Sequence, residues 1–190
     1  MLIVVSGTHA SGKSSLIGDF SAAHPDVEVW PDPIEELGAY PTDPGAGVFF
    51  QQLQVAAARL LAPVDHPVIA ERGPLDFLAY LEAADRLGRP VPSSDHLRRG
   101  AELCAAAMRH ADLLVLLPLD PTSPIDVPPD EDPELREVMD EVLLELSDDT
   151  NLTGGTEVVE LTGEAAARLA ALERLAALLM RGSGRGPAVS

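Results

Sequence analysis

The chain reads SGTHASGKSS over residues 6–15, directly after the hydrophobic start MLIVV. Gly7 to Ser14 fit the pattern G-x-x-x-x-G-K-[ST], set between an expected strand and an expected helix. Gly7 and Gly12 permit backbone conformations with positive φ and a close approach to a bound anion. Successive amides then point inward, and the helix that follows adds its positive end. The stretch predicts a cradle for a nucleoside triphosphate built from Gly7, Thr8, Ala10, Ser11, Gly12, Lys13, Ser14 and Ser15. Lys13 supplies a mobile charge to the β- and γ-phosphates, and the Ser14 hydroxyl ligates Mg²⁺. Lys13 is also the only lysine among 190 residues. Compositional bias toward arginine stops there because a planar guanidinium cannot replace a compact ammonium inside such a loop.

The chain length suits one domain with a substantial core. A net charge of −18 argues against nucleic-acid backbones and anionic membrane surfaces, both of which need a basic face. A small anionic ligand therefore requires a local positive pocket in a repelling field. The lone Cys104 excludes an internal disulfide and fits a reducing compartment. The start lacks a basic flank, and no run approaches the ~20 apolar residues of a membrane span. A cytoplasmic location is expected.

Five runs rich in Val, Ile and Leu predict strands at 2–5, 27–30, 68–70, 113–117 and 158–161. Their lack of alternation suits strands buried on both faces of a parallel sheet. Helical patterns fill 13–23, 46–62, 74–88, 94–110, 132–147 and 164–181. The expectation is one α/β domain over residues 1–181: a three-layer sandwich around a five-stranded parallel sheet. Residues 118–133 are proline-rich and acidic and read as a lid-like excursion, and 182–190 as a disordered tail.

Two further stretches bear on chemistry. In VEVWPDPIEELG, residues 27–38, Asp32 falls at the carboxyl end of a strand, where open α/β sheets bind ligands. It would take the proton of an attacking hydroxyl, with Glu35 the alternate carboxylate. Asp32, Pro33 and Glu35 equally fit N-cap, N1 and N3 of a helix, which needs no catalysis. In PVIAERGPLDFLAYLEA, residues 67–83, Glu71 and Arg72 follow the third strand. Arg72 would pair with an acceptor or with transferring phosphate oxygens, and Glu71 would hold a metal-bound water or fix Arg72. A purely structural ion pair is the rival reading. Trp30, Tyr40, Phe49 and Phe50 would wall an acceptor site that stacks a ring.

With these motifs the chain resembles P-loop kinases of the nucleoside and nucleotide kinase group. PDPIEEL is similar to the Glu-Pro-Val turn of deoxynucleoside kinases, with Asp32 in the base position. VFFQQLQVAAAR, residues 48–59, resembles that family's Phe-Gln helix, which places Gln51 at the nucleobase, with Gln52 and Gln54 as fallbacks. ERGP looks like the Glu-Arg-Ser motif there and the Asp-Arg of thymidylate kinases. The run ERGPLDFLAYLEA is also similar to P-loop proteins related to ribosylnicotinamide kinase. The resemblance implies an adenine-binding loop at Thr162-Gly163 and often a homodimer. It also implies an arginine-rich lid, yet between Arg109 and Arg168 the only arginine or lysine is Arg136. Arg136 either contacts ATP or pairs with Asp132 or Asp140 at helical spacing, the preferred reading of that residue alone. Arg98 and Arg99 read as a solvated helix face, not an acceptor-phosphate clamp.

The resulting expectation is transfer of the γ-phosphoryl group of ATP, with Mg²⁺, to a hydroxyl of a nucleoside-like metabolite. Lys13, Asp32 and Arg72 carry the chemistry; Trp30, Asp32, Glu35, Phe50, Gln51, Glu71 and Arg72 face the acceptor. A nucleoside monophosphate is the nearest rival acceptor. A nucleotide-binding switch acting through a protein partner is the rival from another class.

Overall fold

The computed structural model describes residues 1–37, 46–91, 93–120 and 132–183. Strands β1 (Leu2–Ser6), β2 (Glu28–Trp30), β3 (Val68–Glu71), β4 (Leu113–Leu116) and β5 (Glu157–Glu160) form one parallel sheet. Their order is β2-β3-β1-β4-β5. The central strand aligns Ile3 with Ile69 on one side and with Leu113 on the other. Every residue of β1 and β4 is buried, which explains their unbroken apolar runs. The edge strands correct the expectation of burial on both faces. β2 and β5 keep exposed positions, and Val29 is 38% exposed.

Alternation along β1 divides the core into two layers. Ile3 and Val5 pack with Ile17 and Phe20 of α1 (Lys13–Ala23) and Leu172 and Ala176 of α7 (Ala165–Ser183). Leu2 and Val4 face the opposite layer. That layer comprises α2 (Ala46–Leu61), α3 (Pro74–Arg86), α4 (Ser94–Met108) and α5 (Pro133–Ser147). Leu53, Leu75, Phe77, Cys104 and Met139 fill it. The three-layer α/β sandwich places all five strand ends at one edge, where the following loops can converge on a ligand.

The periodicity expectations locate every strand and long helix to within about two residues. Single turns escape such patterns. These are the 3-10 turn Pro33–Glu35 and α6 (Thr150–Thr153), whose cap Asp149 accepts from the Asn151 N–H. Tyr40, residues 121–131 of the expected excursion and residues 184–190 of the expected tail lie outside the described residues. α7 runs on to Ser183, so the tail's first two residues are helical. Among the described residues, no helix is long and apolar enough to cross a membrane.

Phe77, 1% exposed, anchors α3 in the helical layer. Phe77→Ala should lower unfolding free energy by about 3–5 kcal/mol in urea titrations. A loss below about 1 kcal/mol would mean this core does not hold α3.

Candidate active site

The loop leaving β1 has the backbone its glycines foretell: φ is +153° at Gly7 and +91° at Gly12. A Cβ at Gly7 would sit 2.6 Å from Ser11 Oγ and 2.8 Å from the Leu117 carbonyl, so the position excludes a side chain. Ala10 also takes positive φ, +50°, a conformation uncommon without glycine. Lys13 opens α1 and is 5% exposed. Its Nζ donates to the Thr8 carbonyl at 2.7 Å and to Ser11 Oγ at 3.4 Å. Burial first, and then the charge of Arg72, push its ammonium down to about 7. Ser14 Oγ donates to Glu71 Oε1 at 2.8 Å.

Beside this loop stands Arg72, 5% exposed and itself at φ +64°. That left-handed residue turns the chain from β3 into α3 and swings the guanidinium under the loop. Its Nε donates to Asp32 Oδ2 at 2.7 Å and its Nη1 to the Gly7 carbonyl at 3.1 Å. Burial opposes its charge, but Tyr80, Asp32 and Asp76 outweigh that and hold it protonated. The other oxygen of Asp32 accepts from the Ile34 N–H at 3.0 Å. Asp32 therefore both caps the 3-10 turn and pairs with Arg72, leaving it half-buried at the strand edge. Glu35 is exposed.

Asp76 is a site residue that sequence reasoning passed over. Fully buried, it accepts from Ser6 Oγ, from the Gly7 N–H at 3.0 Å and from the Gly73 N–H at 2.9 Å. Arg72 Nη1 lies 3.7 Å from it. Burial pushes its carboxyl up while Arg72 and the donors pull against that. One carboxylate thus fixes the entry of the phosphate loop to the start of α3. The available signal was an acid at N3 after Gly73-Pro74, which reads as an ordinary cap.

Two arginines complete the loop's surroundings. Arg136 of α5 donates to the His9 carbonyl at 2.8 Å and the Ala10 carbonyl at 3.3 Å. This corrects the pairing preferred from spacing: Asp132 binds Arg89 and the Leu135 N–H, and Asp140 accepts from the Leu119 N–H. Arg168, in the first turn of α7 after Thr162 and Gly163, donates to the Ser11 carbonyl at 3.0 Å.

The aromatic expectations divide. Phe49 stacks on Tyr80 at 4.7 Å, and Arg72 lies 5.4 Å over the Tyr80 ring. The Tyr80 hydroxyl is buried without a partner among the described residues. Phe50 instead stands edge-on to His96 and lines a groove of about 530 Å³ with Gln54 and Arg99. Trp30 bonds Glu28. Gln51 is exposed, and the buried glutamine of α2 is Gln52, 6% exposed. Arg98 pairs with Asp95 and Glu102 at the surface, the solvated face expected of it.

No family model and no curated protein sequence matches the chain. Solved structures do. Deoxyadenosine kinase from M. mycoides with bound dATP aligns with a TM-score of 0.68 at 12% identity, over 93% of this chain and 100% of that one. Thymidylate kinase from Candida albicans aligns at 0.66 and 15%, over 94% and 92%. NadR in complex with NAD and AMP-PNP aligns at 0.64 and 13%, over 100% of this chain and 51% of that one. The chain has the P-loop kinase fold. In that fold the Ser14 hydroxyl and Glu71 carboxylate are hard oxygen donors of the kind Mg²⁺ takes, and their mutual bond brings them to one place. Among the described residues, no three His, Cys, Asp or Glu side chains form a metal cage. Mg²⁺ needs none, since it fills its shell with phosphate oxygens and water.

Two expectations follow for this P-loop site. Asp76→Ala strands two backbone donors and part of the Arg72 charge, and should cost about 3–5 kcal/mol in denaturant unfolding; a change under about 1 kcal/mol would rule out the hub. His9 reaches solvent, but crowding by protein atoms, then Arg72 and Lys13, push its imidazole down to about 4 from 6.5. Between those values the unfolded chain holds the extra proton, so His9 costs stability as pH falls. Stability curves of wild type and His9→Asn should converge toward, or cross in favour of, the variant between pH 6.5 and 4. Parallel curves would refute the shift.

Proposed function

We propose that the chain is an ATP-dependent phosphotransferase that moves the γ-phosphoryl group to a hydroxyl of a nucleoside or nucleoside-like metabolite. The observation that carries this reading is the Asp32–Arg72 pair beside the phosphate loop, bridged to it through the Gly7 carbonyl. A half-buried carboxylate aligned by an arginine at the strand edge is suited to accept a proton from a hydroxyl bound beside the loop. The Tyr80 hydroxyl, without a partner among the described residues, and the buried Gln52 add polar groups suited to an acceptor. The likeness to kinases solved with dATP and with AMP-PNP supports the same class.

In this reading Lys13 leaves the Thr8 carbonyl for phosphate oxygens, and the loop amides take the remaining charge. Ser14 and Glu71 would hold Mg²⁺. When bound, Mg²⁺ neutralises charge on the phosphates. Asp32 accepts the proton of the acceptor hydroxyl as that oxygen attacks the γ-phosphorus, and ADP departs. Arg72 keeps the Asp32 carboxylate in place and offers its remaining N–H groups to the transferring phosphoryl oxygens.

The test is ADP release with Mg²⁺ and ATP across a panel of nucleosides, nucleoside monophosphates and sugars. Acceptor-dependent release is expected, abolished by Lys13→Ala and lowered about a hundredfold or more by Asp32→Asn. Stimulation by monophosphates alone would move the assignment to a nucleotide kinase. Release that no acceptor stimulates would overturn the kinase reading in favour of a switch.

A further inference from the structure

Five consecutive carbonyls of the phosphate loop each accept a hydrogen bond from a cationic side chain. Arg72 holds Gly7, Lys13 holds Thr8, Arg136 holds His9 and Ala10, and Arg168 holds Ser11. The next carbonyl, Gly12, accepts from Leu16 inside α1. The cations come from the end of β3 and from α1, α5 and α7, so four separate parts of the chain meet at one loop.

We infer that Arg136 and Arg168 are positioning residues that brace the phosphate loop from its outer side, and that nucleotide affinity depends on them without contact to phosphate. The inference rests on the proposed nucleotide binding by this loop. When a loop turns its amides inward toward an anion, its carbonyls are left facing the other way. Unheld, those carbonyls would flip toward the site and meet the phosphates with like partial charge. Each arginine removes that alternative by bonding the carbonyl from behind. Arg136 does so at Ala10, where a non-glycine residue sits at φ +50° and has the most to gain by relaxing. Arg168 does so at Ser11, one residue before Gly12 and Lys13. Lys13 is different. Its grip on Thr8 is the one a triphosphate must take over, whereas the arginine contacts persist when the site fills.

The rival role is direct contact with the nucleotide, since Arg168 Nε is buried without a partner among the described residues. Binding of Mg·ATP and Mg·ADP by calorimetry separates the two. A brace acts on the loop and hence on both ligands: Arg168→Ala and Arg136→Ala should each weaken ATP and ADP by the same factor, about tenfold. Arg168→Lys should recover most of it. In the ligand-free variants, amide exchange over residues 7–14 should quicken, while circular dichroism stays unchanged. Should either alanine variant fail to fold, methionine at that position keeps the stem's packing and removes the donors, and the same readings apply. Loss of ATP affinity with ADP unaffected would overturn the brace in favour of γ-phosphate contact. Wild-type affinities and unchanged exchange would overturn it outright. Wild-type protein that binds neither nucleotide would sink the proposed function instead. The brace would then stand or fall on loop exchange alone.

Discussion

The site depends on keeping a tight loop of backbone amides turned inward in a molecule whose net charge is −18. Such a loop concentrates like dipoles on both its faces, and neither face is comfortable without a counter-charge. On the inner face the counter-charge would be the nucleotide of the proposed function. On the outer face it is built in, as the Arg136 and Arg168 guanidinium groups bound to the carbonyls of His9, Ala10 and Ser11. The fold supplies these groups from both helical layers, since α1 and α7 lie on one side of the sheet and α5 on the other. The sandwich is therefore more than a support: its two helical layers close on the loop like opposed jaws.

A positive shell of this kind needs internal compensation before any ligand arrives. Asp76 provides it at no exposure, facing Arg72 and the Gly7 amide together. Asp32 does the same at the rim, with one oxygen on Arg72 and the other on the Ile34 amide. The division is chemically useful. A fully buried carboxylate cannot reach a substrate, whereas a half-buried one can. Capping and the pairing with Arg72 use different oxygens of the same side chain, so the cap does not occupy the oxygen that faces the arginine. Arg72 links the two acids, and its left-handed backbone places it between them.

Periodicity exposed most of the architecture because the central strands are apolar on both faces and the long helices are amphipathic. The loop was legible because its residues are adjacent in sequence. What stayed hidden depends on distance or phase. Arg168 lies 157 positions from Ser11, and Arg136 lies 127 from His9, so local spacing offers near partners such as Asp132 in their place. Asp76 looks like a helix cap until the register of β1 against β3 brings Ser6 and Gly7 to it. The glutamine run shows the limit of phase. Gln51 and Gln52 are neighbours in sequence but about 100° apart around α2. Only packing of Phe49, Gln52, Leu53 and Ala56 against the core decides which one points inward.

The same electrostatics restricts what the site can take. Four of thirteen basic side chains surround one loop, while thirty-one acidic residues are spread over the chain. A net charge of −18 disfavours extended polyanions in general, and exposed charges beyond about 10 Å are screened at moderate salt. Under the proposed function a compact triphosphate would lie inside that distance, and an extended nucleic-acid backbone would reach beyond it. Selection by size then needs no dedicated gate. It follows from placing a small positive pocket, braced from behind, in an otherwise negative surface.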